Sequence, residues 1–590
     1  MLPEQTGSRN PDRLCGAPDS AWNVSLGERM ESLRSQPSYL LTFETQAMLA
    51  RLAPGRRIPG EMVHRYERAL LAAFQLGVDV PVIPLAYQEL YAPLEKLLDD
   101  ELAQAKETGR IVVNFDRFIG IGRRDEGALV TMSFGRMRYP GETRDRMCQR
   151  QGDAPIEEQF AYLEHRAAKL GTRNLVLVDD GVSTIETTES YLEEFERHGF
   201  RVVRIVAGVV PEAAEGDWAT RQYLEDRGIE VVPVITIAKP LDWVCARDGN
   251  IFGGKNMPIR ETLSTDQGEV PLIRTAAYFL PFSDGASASF DPTRLAQVSR
   301  ALLEANDTLF TELKQLLGTN RITLRYFAEH GFSLPTSALG ILPDPTPEMD
   351  VQEYNNWCRR AAQAYTPDLA VSFTPAFQED RGNEPYLDDL YPELQNRVTI
   401  ICAPSGCGRT TVMRKIMKER PSAAWVRRTT SRRMREGETP TEIECTTREI
   451  MQRAVAEGDM LSVCKYMDQL YGVRLSELRK QVANGASELY VEGTIEVMGL
   501  AKRLRTALVV VMLPDSQEAF AQRIAARDGN DDETNRRATT SIGHLEVYTQ
   551  NLQAMLLANK IHAVVINYTG NPDGAVVDIM NQLGRWKRYS

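Results

Sequence analysis

Residues 398–411 read VTIICAPSGCGRTT, and this stretch decides the fold of the second half of the chain. The apolar run VTIIC has the length and β-branched content of a strand buried on both faces. It empties into a turn carrying Gly406 and Gly408, after which VMRKIMKE resumes with helical spacing. Glycines in such a turn let backbone N–H groups point inward around a phosphate, and the following helix adds the positive end of its dipole. Strand, loop and helix in that order are the context a phosphate-binding loop requires. Ser405, Gly406, Cys407, Gly408, Arg409, Thr410 and Thr411 are therefore the candidate cradle for nucleotide phosphates, with Thr410 as the hydroxyl suited to Mg²⁺. Arg409 stands where the usual pattern has lysine; its guanidinium keeps the charge but is longer, planar and differently hydrated.

Further strands follow in ELYVEG (488–493), ALVVVML (507–513) and HAVVINY (562–568), and five arginines crowd residues 427–435, at 427, 428, 432, 433 and 435. Paired guanidinium forks are what phosphate recognition calls for. The order APSGCGRTT, TTSRRMREGE, LYGV, YVEG, AQRIAARDG and NRRAT resembles the guanylate kinase superfamily over residues 396–590. The resemblance implies a P-loop kinase using ATP and Mg²⁺, with Arg432, Arg435 and Tyr471 on the acceptor. It also implies a lid carrying Arg523 and Arg527, spaced i, i+4 on one helical face, with Arg536 and Arg537 as further candidates. Ile443 and Ser462 stand where that superfamily carries a tyrosine and a guanine-reading acid, and its LDID-like run is YVEGTIEV here. LYGVRLSEL and LYVEGTIEVMGLAKR are similar to ribose 1,5-bisphosphate phosphokinase, a relative whose acceptor has phosphates and a sugar but no base.

A second motif lies at 175–187, LVLVDDGVSTIET: an apolar strand, two carboxylates, then a hydroxyl-rich turn opening the helix SYLEEFERHG. Two acids at a strand end can face vicinal hydroxyls while the next loop holds a phosphate at a helix N-terminus. The run resembles the phosphoribosyl-pyrophosphate motif of type I phosphoribosyltransferases, which implies that Asp179 and Asp180 hold ribose and Mg²⁺ while Ser183, Thr184 and Thr187 hold the 5′-phosphate. Ile185 replaces that motif's glycine, and Glu186 adds a negative charge. Upstream, IVVNFDRFIGIGRRDEG supplies Arg123 and Arg124 where the family carries a pyrophosphate loop, and a hairpin with Arg136 and Arg138 resembles its mobile loop. Downstream, Asp242 and Trp243 lie where some members contact the base.

The chain has 590 residues, and roughly 150 residues per domain gives about three or four folding units. The expected class is α/β, with two distinct parallel-sheet domains joined by a mainly helical connector. Residues 1–36, rich in Pro, Gly, Ser and Asn, read as a flexible tail; 37–285 as the phosphoribosyltransferase-like domain; 286–395 as the connector; 396–590 as the P-loop domain. Lys and Arg total 69 against 81 Asp and Glu, a net charge of −12 that disfavours bulk nucleic-acid binding. Eight cysteines without a CxxC pair and six scattered histidines exclude a local zinc motif or disulfide framework. No apolar run approaches the length of a membrane span, so the expectation is a cytoplasmic chain without membrane partners, self-association being left open.

Joined through one metabolite, the halves predict a bifunctional transferase. The kinase would convert ribose 1,5-bisphosphate to phosphoribosyl pyrophosphate, and the other half would transfer the phosphoribosyl group to an unidentified nitrogen acceptor. One alternative is a guanylate-type nucleoside-monophosphate kinase fused to a phosphoribosyltransferase. Another is a non-catalytic nucleotide-sensing or scaffolding protein, suggested by Arg409 and Ile185.

Overall fold

Strand-forming runs and helical repeats alternate along the chain, and the computed structural model shows how they are layered. It describes residues 24–115, 125–137, 146–182, 184–212, 219–237, 240–256, 261–265, 268–282, 294–336, 340–365, 386–435, 437–466, 468–494, 496–528, 561–568 and 571–589, with isolated residues and short pieces between. Arg123, Arg124, Arg138, Ser183, Arg536 and Arg537 lie outside the described residues, as do the side chains of Arg136 and Arg527.

Near the N-terminus β1 (Ser38–Thr42) pairs in parallel with β2 (Val82–Leu85). A five-stranded parallel sheet follows, built from β3 (Ile111–Asn114), β4 (Leu129–Thr131), β7 (Asn174–Gly181), β8 (Arg201–Pro211) and β9 (Glu230–Ile237) in the order β4-β3-β7-β8-β9. Alternation within these apolar runs serves two layers. Val112, Val176, Val178 and Val206 pack with Leu90, Leu94 and Leu98 of the helix Tyr87–Thr108. Their neighbours Ile111, Val113, Leu175, Leu177 and Ile205 pack with Phe160, Leu163, Leu192 and Phe195 of the helices Ile156–Leu170 and Ile185–Arg197. This is why the strands read as continuous hydrophobic runs rather than polar-apolar alternation.

The hairpin of β5 (Phe134–Met137) and β6 (Arg146–Gln149) leaves that sheet, and β10 (Pro240–Cys245) lies beside β1. Five short strands come next: β11 (Lys255–Asn256), β12 (Glu261–Thr265), β13 (Gly268–Leu272), β14 (Arg274–Ala276) and β15 (Leu334–Pro335). They complete a sheet of order β15-β14-β11-β5-β6 and a separate β12-β13 hairpin.

The last 200 residues hold two further sheets. Five parallel strands run in the order β17-β22-β16-β23-β24: β16 (Val398–Cys402), β17 (Ala423–Trp425), β22 (Glu488–Gly493), β23 (Leu508–Pro514) and β24 (Ala563–Asn567). A smaller mixed sheet, β19-β18-β21-β20, is made from β18 (Arg428–Thr430), β19 (Ile443–Cys445), β20 (Met460–Tyr466) and β21 (Gln469–Arg474).

Two expectations change. Residues 26–35, read as part of a flexible tail, form a helix opened by a Ser25–Glu28 capping box. It is pinned where Arg29 forks onto Glu89, Nη1 at 3.0 Å and Nη2 at 2.6 Å. Within 286–395 the described residues include the helices Leu295–Leu317, Leu324–Glu329 and Val351–Ala364, and these do not merely connect. Leu302, Leu309, Phe310 and Tyr354 enter the same core as Tyr66, Leu70 and Phe74 of the helix Gly60–Leu76. That core continues into Met451, Ala454, Val455, Met460, Val463 and Leu470, which belong to the small mixed sheet and its helix Arg448–Glu457. No described helix is long and apolar enough to cross a membrane.

Candidate functional site

β16 ends at Cys402, and the chain turns through Gly406 and Gly408, whose φ values are 99° and 80°. L residues rarely adopt such values. At Gly408 a Cβ would also sit 2.7 Å from Asn567 Nδ2, the amide that donates to the Cys407 carbonyl at 2.7 Å. The helix Arg409–Glu419 starts directly after it, so the first-turn N–H groups open onto the loop, and Thr410 and Thr411 are exposed there. Burial pushes the Cys407 thiol up to about 12, although Arg409 and Arg523 pull the other way, so it packs as a neutral group.

Arg523, on the helix Gln517–Asp528, donates to Asp515 Oδ1 at 3.1 Å and the Asn567 carbonyl at 3.2 Å, which anchors it to the strand ends beside the loop. Arg527 follows one turn later on that helix. A P-loop nucleotide and Mg²⁺ suit this donor set. Thr410 offers an open hydroxyl, and the buried Nη1 of Arg409 has no hydrogen-bond partner among the described residues.

The small sheet presents a row of Arg428, Ile443, Ser462 and Val473, followed by a row containing Thr430, Cys445, Cys464 and Tyr471. Arg432 is shaped by Glu438: both terminal nitrogens fork onto that carboxylate, and the guanidinium lies 6.0 Å from the Tyr471 ring centre. Burial would raise the Glu438 carboxyl, but hydrogen bonds from Arg432 and the Arg435 N–H outweigh it and hold it below the usual range. Arg435 itself is exposed on the same turn. Ile443 is buried, and the fully buried Ser462 hydroxyl has no hydrogen-bond partner among the described residues.

Sequence reading missed Glu492. This buried residue ends β22 between the two sheets, 2.9 Å from Arg428 Nη2 and 3.4 Å from Arg409 Nε. The signal was the acid in YVEG, but its partners are remote in sequence.

Compared with known proteins, residues 395–564 match the family described as guanylate kinase. The guanylate kinase of Synechococcus sp. is 33% identical over 155 residues, covering 25% of this chain and 83% of its own length. The chain belongs to the guanylate kinase family. A second guanylate kinase, from Chlorobium luteolum, is 24% identical over 182 residues, 30% of this chain and 91% of that protein. The crystal structure of guanylate kinase from Anaplasma phagocytophilum aligns with 32% of this chain and 85% of its own, at 19% identity and a TM-score of 0.25. The guanylate kinase region thus contains the phosphate loop, the Arg432–Glu438 fork and Glu492.

In the N-terminal half, Asp179 and Asp180 end β7, beside the point where the strand order turns back between β3 and β7. In open parallel sheets, ligand crevices form outside such points. The Asp180 N–H donates to Asp179 Oδ1 at 2.9 Å, and Tyr91 OH lies 3.5 Å from Asp180 Oδ2. Thr184 and Thr187 lie with their hydroxyls 3.2 Å apart at the start of the next helix. Trp243 is half-buried and packs against Gly181, where a Cβ would come within 2.1 Å of the indole; its Nε1 donates to Thr42 Oγ1 at 3.4 Å. Asp242 Oδ1 accepts from the N–H of the next residue, Trp243, at 2.8 Å within β10.

The structure also gathers Glu44, Cys245, Arg247 and Asp248 at the ends of β1 and β10, which sequence reading did not single out. Burial raises the Glu44 carboxyl against the pull of Arg247, and burial likewise lifts the Cys245 thiol well above its ordinary value. Among the described residues no group of three or more His, Cys, Asp or Glu is placed to hold a metal ion.

Proposed function

We propose that this guanylate kinase-family chain transfers a phosphoryl group from ATP to a nucleoside monophosphate, with GMP as the first acceptor to try. The carrying observation is the link through Glu492 between Arg409, at the start of the helix after the phosphate loop, and Arg428, on the strand leading to Arg432, which Glu438 holds. Catalysis of this type is mostly positioning and charge stabilisation, which arginines on both sides of a cleft supply. Ser405, Gly406, Cys407, Gly408, Arg409 and Thr411 would hold the ATP phosphates, and Thr410 the Mg²⁺. Arg432, Arg435 and Tyr471 would take the acceptor phosphate, and Arg523 and Arg527 would close over the transfer. Bound Mg²⁺ would neutralise part of the phosphate charge.

One observation favours a second acceptor. The row of Ile443, Ser462 and Val473 carries no carboxylate to read guanine, which suits a sugar phosphate such as ribose 1,5-bisphosphate. In that reading Asp179, Asp180, Thr184 and Thr187 would bind a phosphoribosyl group in the N-terminal half, and its parallel sheet with acids at the strand-order turn supports this. The test incubates the full-length protein with ATP, Mg²⁺ and either GMP or ribose 1,5-bisphosphate, following products by mass spectrometry. GDP formation is expected. Phosphoribosyl pyrophosphate from the bisphosphate alone would select the second acceptor, and ATP binding without turnover of either would select a sensing role.

A further inference from the structure

Glu492 sits where the nucleotide side of the cleft meets the acceptor side. Its strand, β22, lies beside β16, with Gly493 aligned to Cys402 at the edge of the phosphate loop. The carboxylate is 2% exposed and meets two guanidiniums from different layers. Oε1 accepts from Arg428 Nη2 at 2.9 Å, and Arg428 opens the strand that leads into the Arg432–Glu438 turn. Oε2 lies 3.4 Å from Arg409 Nε, on the first residue of the helix after the phosphate loop.

The two contacts are unequal. The Arg428 contact is a charge-assisted hydrogen bond. The Arg409 contact is an ion pair without one: Glu492 Oε2 and Arg409 Nη1 are both buried and both lack a hydrogen-bond partner among the described residues. Buried groups left in that state are costly, and a phosphate oxygen arriving in the loop would satisfy Nη1. One carboxylate also cannot fully neutralise two guanidiniums, so the trio carries an excess positive charge that an arriving anion relieves. Drawing Arg409 toward phosphate would leave Glu492 to Arg428 alone, tightening its hold on the base of the acceptor turn.

We propose that Glu492 is a positioning residue that couples the two substrate sites, so that nucleotide phosphate in the loop raises acceptor affinity and acceptor raises nucleotide affinity by the same factor. The inference rests on the kinase reading and deepens it. It also gives Arg409 a reason to replace lysine: a planar fork can meet a phosphate while keeping Nε near a carboxylate, whereas a compact ammonium cannot span both.

The experiment is calorimetric titration of the full-length protein with AMP-PNP and Mg²⁺, with and without a saturating acceptor, and the reverse, using whichever of GMP and ribose 1,5-bisphosphate binds. In the unaltered protein each ligand should tighten the other about fivefold or more. Glu492→Gln keeps the shape but removes the charge, and should reduce that factor to about one while each ligand still binds alone. Arg409→Lys should weaken the coupling at the same contact and serves as the reading if Glu492→Gln fails to give a cooperative thermal transition. Unchanged coupling in the variants, or no coupling in the unaltered protein that binds both ligands, overturns the inference and leaves the kinase reading standing. Failure to bind AMP-PNP or either acceptor overturns both.

Discussion

Two sets of buried carboxylates, one in each half of the molecule, sit in opposite surroundings. In the N-terminal half Glu44 and Glu67 are raised by burial, Glu67 to about 7, with little cationic compensation beyond Arg247 near Glu44. In the guanylate kinase region Glu438, Glu477 and Glu488 are also desolvated, but arginine or lysine partners overcome this and hold all three low. The contrast follows from what each surface faces. Glu438 orients Arg432, while Glu477 meets Arg427 and Glu488 meets Lys587, so each buried carboxylate has a cation in hydrogen-bonding reach. Glu44 and Glu67 instead lie near one another with little cationic charge beside Glu67, where burial favours the neutral form.

The largest break in this comparison would come at the phosphate loop. Gly408→Ala forces a Cβ into left-handed backbone against Asn567. It should lower turnover about a hundredfold, with the far-ultraviolet circular dichroism spectrum retained.

Glu67→Gln probes the other half. Glu67 has the Thr45 hydroxyl and the Glu44 charge around it, with His64 Nδ1 at 4.0 Å. A carboxyl raised from 4.5 to about 7 on folding favours the folded state while protonated and costs stability as pH rises through that window. The glutamine variant should therefore be more stable than the unaltered protein by about 3 kcal/mol at pH 8, with the difference vanishing below the carboxylate's ordinary value. Thermal melts across pH measure this, and a difference independent of pH would remove Glu67 from the contrast.

Glu438→Gln would sharpen the kinase side. The Arg432 fork would lose its charge assistance, and acceptor KM should rise about tenfold with a far smaller change in the ATP KM. Equal changes in both constants would mean that the fork supports the whole cleft rather than its acceptor side. The smallest effect should come from Trp243→Phe, which gives up one long hydrogen bond to Thr42 and keeps most of the ring against Gly181. About 0.5–1 kcal/mol of stability should be lost in denaturant unfolding.

The features legible in the sequence were those written in neighbouring residues. VTIICAPSGCGRTT carries its strand, its turn and its helix start within one window, and the apolar runs of β3, β7, β8 and β9 announced a buried parallel sheet. Ser25 and Glu28, spaced as a capping box, were equally local; the composition of the preceding residues hid them. What could not be read joins distant positions. Arg428 and Glu492 are 64 residues apart, and Arg247 and Glu44 are 203 apart. An acid in a strand says nothing about which guanidinium will reach it. Helical periodicity in 295–317 likewise revealed an apolar face without revealing what would cover it.

The continuity of one hydrophobic core from Tyr66 through Tyr354 to Val455 and Leu470 bears on how this protein can be dissected. The family match begins at residue 395, yet the helix Val351–Ala364 lies before that boundary, as does Gly340, whose carbonyl accepts from Gln452 Nε2 at 2.7 Å. A chain severed at the boundary would keep its phosphate loop but carry a raw oily seam along the helix Arg448–Glu457, inviting aggregation. The domain that sequence comparison outlines and the piece that can be cut out intact are therefore different objects here, and a cut before Leu295 would part the same core, which joins Leu302 and Phe310 to Tyr66 and Phe74.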